Sequence, residues 1–181
     1  MAGDPDLRAL ARDERSSLLA LVRELDEEQW HAPSLCAGWS VRDVVVHVVS
    51  YDDLSLPQVV ALVERRLEPR GLTSGFGGAI ALTDGMIHQQ DVRRSLAWPR
   101  AIPGERLRAA LDFSLRAPTL PSRANAKGLS LVAADLEWEH GSGEMVAGPG
   151  EAVLMALAGR AQALADLEGP GVATLAARLS S

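Results

Sequence analysis

Cysteine and aromatic residues are scarce in this chain of 181 residues. Cys36 is its single cysteine, so no disulfide can form within the chain, and such sparse use of cysteine is typical of a reducing compartment. Aromatic residues make up only 4%, and four of them are tryptophans. The hydrophobic core must therefore be built mainly from Ala, Leu and Val.

Long apolar runs and clusters of basic residues are also missing. No apolar run approaches the roughly 20 residues that span a membrane, and acidic residues near the N-terminus exclude the apolar core of a signal peptide. The formal net charge is −6 and the basic residues are scattered, whereas nucleic-acid binding needs a basic patch. These absences predict a cytoplasmic protein that binds neither a membrane nor nucleic acid. For its oligomeric state, both a monomer and a homodimer stay open.

Helical periodicity is strongest near the N-terminus. Apolar residues recur with helical period from Leu7 to about Glu28, which predicts one amphipathic helix. Charged residues such as Arg15 fall on the other side of this helix. With hydrophobic residues at 47%, a chain of this length can bury the core of one ordinary domain or of two small ones.

Three further segments contain signals that start helices or interrupt them. A capping-box pattern at Ser40 predicts a helix over the valine-rich residues 41–49, although that run could also pass for a buried strand. Pro57 opens a third predicted helix, because proline is well suited to the first helical turn. The four glycines within 69–78 predict a flexible connector.

Two prolines and a glycine within 98–104 mark the predicted domain boundary. This boundary separates a helical domain, residues 1–101, from a small α+β domain, residues 102–181. Beyond it, three short segments between 128 and 147 have the pattern of β-strands, and helical patterns flank them. The predicted fold class is therefore α+β, mainly α.

The segment Leu82–Leu96 is predicted to be a helix with three ionisable side chains on one face. Asp84, His88 and Asp91 stand at positions i, i+4 and i+7, which lie turn above turn. A carboxylate four residues before an imidazole can present one oxygen and one nitrogen to the same cation. His47 lies in a run of valines, where an ionisable group is costly unless it is paired or bound to metal. The pattern points to a metal site of His47, Asp84 and His88.

Each of these residues also has an ordinary structural interpretation. Asp84 and His88 can simply pair across one helical turn, and a buried histidine such as His47 is more often hydrogen-bonded than bound to metal. Asp91 can orient a metal ligand or pair with a neighbouring arginine, and it can equally be a solvated charge. Cys36 is interpreted as a small buried group, because the sequence places no activating partner beside it.

Three segments of the chain share their pattern with one protein family. They are the run from Trp30 to His47, the run IHQQDVRRSL within Leu82–Leu96, and the run LVAADLEWEHGSG within Gly128–Leu179. Together they resemble the mycothiol-dependent maleylpyruvate isomerase family, which is part of the DinB-like metalloprotein superfamily. The first two segments are similar to the metal-binding helices of the family, and the third is similar to its C-terminal region.

The resemblance implies a DinB-like up-down four-helix bundle with a divalent metal ion, followed by a small α+β region. Carried over by position, the metal ligands of the family are His47, Asp84 and His88. The metal expected is Zn²⁺, with Ni²⁺ as the alternative, and mycothiol would be the thiol cosubstrate. The implied activity is cis–trans isomerisation of a small electrophilic substrate, or transfer of the thiol to it, with the metal as thiol activator.

The chain departs from the family pattern in two places. Asp84 stands where the family usually has Glu, whose side chain reaches about 1.5 Å further, so either the helices approach more closely, or the ligand is weak, or water intervenes. The segment from Tyr51 to Gly78 is shorter than in the family. A non-catalytic bundle that binds a metal or a small molecule is therefore the alternative function. A purely structural module, with both histidines hydrogen-bonded in the core, is a third.

Overall fold

The computed structural model describes residues 6–36, 38–49 and 54–180, and the chain divides into two compact units, Met1–Ala101 and Ile102–Ser181. In the described residues the first unit is helical, and the second combines helices with a three-stranded sheet. The predicted fold class, mainly helical with a small sheet toward the C-terminus, agrees with this architecture. The up-down four-helix bundle and the two separate domains stay predictions.

The regular elements account for most of the described chain. The first unit contains α1 (Leu7–Val22), α2 (Glu27–His31), α3 (Val41–Val49), α4 (Leu56–Arg65), a 3₁₀ segment (Gly71–Gly78) and α5 (Ala79–Ser95). The second contains α6 (Gly104–Ser114), α7 (Ser122–Asn125), β1 (Leu129–Ala133), β2 (Trp138–Gly141), β3 (Glu144–Gly148), α8 (Gly150–Leu157), a 3₁₀ segment (Ala161–Asp166) and α9 (Gly171–Leu179). Among the described residues, no helix is long and apolar enough to cross a membrane.

Side-chain caps explain where the first two helices begin. Asp6 Oδ1 accepts hydrogen bonds from two backbone N–H groups in the first turn of α1. Asp26 and Gln29 form a capping box at the start of α2, with the Gln29 N–H donating to the Asp26 carboxylate over 2.8 Å. The prediction that the first helix continues to about Glu28 is therefore wrong. It ends at Val22, because Asp26 starts a new helix.

The predicted starts of α3 and α4 are confirmed. The Asp43 N–H donates to Ser40 Oγ over 3.2 Å, and the Ser40 N–H donates back to the Asp43 carboxylate over 2.9 Å. At α4, Ser55 and Gln58 form a third capping box, and Pro57 lies in the first turn. The valine-rich run 41–49 is thus a helix, because its cap and its packing outweigh the strand preference of valine.

Four helices of the first unit enclose an aliphatic core. α1 and α3 each pack against both α4 and α5. The core between them is built from valine and leucine, as the scarcity of aromatic residues predicts, and includes Leu18, Val44, Val45, Val49 and Leu62. α5 is buried on most of its surface, since 12 of its 17 residues are buried.

The glycine-rich stretch before α5 has regular structure, which differs from the predicted connector. It forms the 3₁₀ segment, which is interrupted by left-handed backbone at Phe76, Gly77 and Gly78, with φ of 53°, 71° and 100°. A Cβ at Gly78 would lie 2.9 Å from the backbone oxygen of Leu7. Glycine is therefore required where the chain passes the start of α1 to enter α5.

The sheet of the second unit has the strand order β2-β1-β3, with β1 antiparallel to β2 and parallel to β3. The link from β2 to β3 therefore crosses the start of β1 instead of forming a hairpin. Gly141 lies there against the backbone of Leu129, where a Cβ would approach the carbonyl oxygen to 2.3 Å. α8 packs against this sheet and against α6, and it buries every residue from Gly150 to Leu157 except Glu151.

Candidate metal centre

α3 and α5 bring two histidines face to edge. The ring centroids of His47 and His88 lie 5.0 Å apart with an interplanar angle of 81°. Trp39, from the loop before α3, packs edge-on against His47 with centroids 5.1 Å apart. The prediction that His47 points into a valine environment is wrong, because its side chain is exposed. The buried valines of α3 occupy the side of the helix that faces the core, and His47 lies on another side.

Asp84 completes a group of three donors with the two histidines. It lies one turn before His88 on α5, and its Oδ1 is 3.6 Å from His88 Nε2. One ligand atom each from His47, Asp84 and His88 lie within 4.8 Å of one another. The Asp84 side chain is 45% exposed and that of His88 is 14% exposed, so the three donors meet at a position that solvent can reach.

The separation between Asp84 and His88 suits a divalent ion of the size of Zn²⁺. Nitrogen and oxygen ligands lie about 2.0–2.2 Å from a tetrahedral zinc ion, which places any two of them about 3.4 Å apart. The distance of 3.6 Å between Asp84 Oδ1 and His88 Nε2 is close to that value. The Asp84 side chain, although shorter than the Glu usual in the family, therefore brings a carboxylate oxygen close to His88 Nε2.

The other nitrogen of His88 faces a fully buried carboxylate. His88 Nδ1 lies 3.0 Å from Asp91 Oδ2, and the thiol of Cys36 donates to the same oxygen over 3.2 Å. Asp91 is 0% exposed, so its interpretation as a solvated charge is wrong. A carboxylate bound to the far nitrogen of a metal-ligating histidine fixes the ring orientation and the tautomer. Sequence reasoning missed the contact with Cys36, which is 55 residues away along the chain.

The charges around His88 favour its protonated ring. Burial lowers the pKa of His88, but its hydrogen bonds with Asp91 and Cys36, together with the charges of Asp84 and Asp91, outweigh burial and raise the pKa from 6.5 to about 9. Because a metal binds the unprotonated nitrogen, a cation at this site must displace a proton at neutral pH. Metal affinity is therefore expected to increase with pH.

A second group of charges is buried where α1 meets α5. Arg100 donates to Glu14 Oε2 over 3.0 Å and to Gln90 Oε1 over 2.9 Å. Arg15, which the helical periodicity places on the outer side of α1, is only 8% exposed. Burial lowers the pKa of Arg15, and the nearby charge of Asp84 opposes that shift. Periodicity within α1 could not reveal this group, because its partners lie in distant parts of the chain.

The fold and the donor side chains together define the class of this protein. It is mainly helical, and two of its helices bring two histidines and carboxylates together. A family model described as the mycothiol maleylpyruvate isomerase N-terminal domain matches residues 11–128. This match covers more than half of the chain, which therefore belongs to the family, and the resemblance found in the sequence is confirmed. The family is one of mycothiol-related, metal-dependent enzymes. No curated protein and no solved structure matches the chain.

Proposed function

We propose that this protein is a metal-dependent enzyme that activates a low-molecular-weight thiol, mycothiol, for reaction with a small electrophilic substrate. His47, Asp84 and His88 hold the metal in this proposal, Zn²⁺ or alternatively Ni²⁺. The observation that carries the proposal is the convergence of their three ligand atoms within 4.8 Å of one another. Membership of a mycothiol-related family supports both the metal and the thiol.

The donor set leaves room for a thiol beside the protein ligands. Three protein ligands do not complete a tetrahedral centre, and catalytic zinc sites keep the fourth position for water or substrate. His47 is exposed and the Asp84 side chain is 45% exposed, so a thiol can approach from solvent. When bound there, the ion would act as a Lewis acid and would stabilise the thiolate form of the thiol.

The surrounding side chains hold the ligands in position. Asp91 accepts a hydrogen bond from His88 Nδ1 in the neutral ring, so Nε2 is the nitrogen that remains available on the side of Asp84. Trp39 restricts the ring of His47 by edge-on packing. His88 is thus fixed from the buried side and His47 from the exposed side, which preorganises two donors that come from different helices.

The two reactions within this proposal share their first step. The thiolate sulfur forms a bond to one carbon of an activated C=C double bond, and the π electron pair moves toward the electron-withdrawing group. Rotation about the resulting single bond, followed by cleavage of the C–S bond, releases the thiolate and the trans isomer. If the C–S bond is retained and the substrate takes up a proton, the product is a thioether, as in an S-transferase. In both cases His47, Asp84 and His88 would hold the ion that activates the thiol.

Metal content of the purified protein tests the site. We expect near-stoichiometric zinc or nickel in protein purified without chelator, and loss of that metal in a His88→Ala variant. His31→Ala is the matched control, because His31 is exposed in the same unit and its ring contacts the backbone oxygen of Glu27. Unchanged metal in His88→Ala would contradict the proposed ligand set. So would a parent protein without metal whose stability does not respond to added Zn²⁺.

Thiol-dependent turnover separates an enzyme from a protein that only binds metal. We expect consumption of maleylpyruvate, or of another activated alkene, to require both the metal and mycothiol. His88→Ala should abolish this turnover, whereas His31→Ala should leave it unchanged. Stoichiometric metal without any thiol-dependent turnover would favour the alternative, a non-catalytic binding protein of the same family.

A further inference from the structure

We infer that Cys36, His88 and Asp91 form a second cation site, which takes a thiophilic divalent ion through the nitrogen of His88 that faces away from Asp84. Cys36 Sγ, a ring nitrogen of His88 and a carboxylate oxygen of Asp91 lie within 4.8 Å of one another. None of the residues proposed above for the metal of the enzyme, apart from His88, belongs to this second set. The inference therefore stands whether or not the proposed function is correct.

The distances within this second set are already close to those of a coordination shell. His88 Nδ1 and Cys36 Sγ lie 3.0 Å and 3.2 Å from Asp91 Oδ2. Around zinc, with ligands about 2.0–2.3 Å from the ion, such pairs would be about 3.3–3.6 Å apart. These two separations must therefore increase by only a few tenths of an ångström. Cys36 belongs to the loop between α2 and α3, so this adjustment does not require a helix to move.

The chemistry of the donors selects the kind of ion. A thiolate, an imidazole and one carboxylate favour soft or borderline ions such as Cd²⁺ and Zn²⁺, and they disfavour Mg²⁺ and Ca²⁺, which prefer oxygen ligands. On binding, the thiol of Cys36 and the protonated ring of His88 each release one proton to solvent, and the Cys36 sulfur and His88 Nδ1 become ligands. The ion replaces the His88 proton as the positive charge next to the fully buried carboxylate of Asp91, and the half-buried thiol of Cys36 leaves a route of entry from solvent.

The two sites compete for one side chain. A neutral imidazole has one nitrogen with a lone pair and one that carries hydrogen, so His88 can ligate through Nε2 or through Nδ1 but not through both. Nε2 faces Asp84 at 3.6 Å, and Nδ1 faces Asp91 at 3.0 Å. An ion held by Cys36 would therefore withdraw His88 from the site of His47 and Asp84. Thiophilic ions are expected to inhibit binding at the other site.

Titration of the full chain with Cd²⁺ tests this inference. The protein is first treated with chelator, reduced, and transferred to buffer free of thiols, and the thiolate-to-cadmium charge-transfer absorption is recorded in the ultraviolet. We expect a saturable band at one ion per chain. The band should be lost or require far more Cd²⁺ in Asp91→Asn and in His88→Ala, because a single thiol from a loop holds cadmium weakly.

Two further variants separate this site from the one proposed for the enzyme. In His47→Ala and in Asp84→Asn the cadmium–thiolate band should persist at the same or lower Cd²⁺ concentration, because the competing site has lost a ligand. Circular dichroism of every variant verifies the fold. The inference is overturned if the parent protein shows no band, or if Asp91→Asn and His88→Ala titrate like the parent, since Cys36 would then bind cadmium alone. Zinc content of His47→Ala reports on the enzyme site separately.

Discussion

The two compact units differ in the kind of polar side chain that they bury. In the described residues of the second unit, the buried polar side chains are neutral: Ser114, Ser122 and Asn125. In the first unit they include four that normally carry charge: Glu14, Arg15, Asp91 and Arg93. The second unit thus has an interior held together by apolar packing, whereas the first contains buried charges and ion pairs next to its aliphatic core.

This difference indicates that the buried charges of the first unit lower the stability of its fold and serve another purpose. Moving an ion out of water costs several kcal/mol unless partners compensate it, and an apolar replacement is often as stable. In the first unit the compensation is incomplete, because Nε of Arg15 and Nε of Arg93 lack hydrogen-bond partners among the described residues. Buried charges in such an arrangement are typical of functional sites, and Asp91 and Arg15 both lie near the candidate metal centre.

The buried ion pair between Glu14 and Arg100 offers the strongest test of this contrast. Glu14→Gln keeps the shape of the side chain but leaves the Arg100 guanidinium without its counter-charge, although both side chains are at most 8% exposed. Loss of one partner from a buried pair costs about 3–5 kcal/mol. We expect the free energy of unfolding, measured by denaturant titration, to fall by that amount.

Arg12→Ala is the matched control for Glu14→Gln. Arg12 is also on α1 and pairs with Glu68, but the two side chains are 55% and 57% exposed. An exposed pair of this kind contributes about 0–1 kcal/mol. If Glu14→Gln proves no more destabilising than Arg12→Ala, the ion pair is not isolated from water and the contrast between the two units fails.

The free energy of unfolding of the metal-free protein is expected to depend on pH, with a change smaller than that expected for Glu14→Gln. The pKa of His88 is raised from 6.5 to about 9, so its contribution to folding is complete below pH 6.5 and disappears as the pH rises toward 9. One pKa unit corresponds to about 1.4 kcal/mol, so the loss amounts to at most about 3 kcal/mol. In chelator-treated protein, we expect the free energy of unfolding to fall over this pH range.

A His88→Gln variant identifies the group responsible for this pH dependence. It has no titratable ring, so its stability should vary less between pH 6.5 and 9 than that of the parent. Equal slopes in the two proteins would mean that His88 is not the group that titrates. Added Zn²⁺ should weaken the dependence in the parent alone, because the metal binds the unprotonated ring.

The smallest loss of stability is expected for a substitution in the second unit. The Asn125 side chain donates a buried hydrogen bond to the backbone oxygen of Leu157, over 2.9 Å, at the end of α8. Asn125→Ala leaves that oxygen without this donor, which costs about 1–3 kcal/mol. Denaturant titration should place this loss below that of Glu14→Gln. A larger loss would show that a neutral polar group matters as much in the second unit as charge does in the first.

Local signals predicted much of the helical framework. The capping residue Ser40 and the first-turn residue Pro57 predicted the starts of α3 and α4, because such signals depend only on residues within one turn. The spacing of Asp84, His88 and Asp91 predicted that His88 would lie between two carboxylates on one helix face, and α5 has that arrangement. The family was also recognisable, since its motifs are local in sequence.

Local sequence signals could not predict features that depend on contacts between residues far apart along the chain. The thiol of Cys36 meets Asp91 only after the loop before α3 has packed against α5. The burial of Arg15 depends on segments far along the chain, among them the backbone oxygen of Arg66 that its guanidinium contacts. His47 was misplaced because an apolar run of neighbours does not reveal which residue of a short helix faces outward.

The exposure of His47 has a consequence for how this site can change over evolution or in the laboratory. The His88 side chain is only 14% exposed and lies on α5, most of whose residues are buried, so replacing it disturbs a crowded helix. His47 projects from α3 beside Trp39, where Cys, Asp or Glu could be accommodated without rebuilding the core. In the proposed metal site, the metal preference could therefore be varied at His47 while Asp84 and His88 stay constant, so His47 is the first position that we would vary in a library.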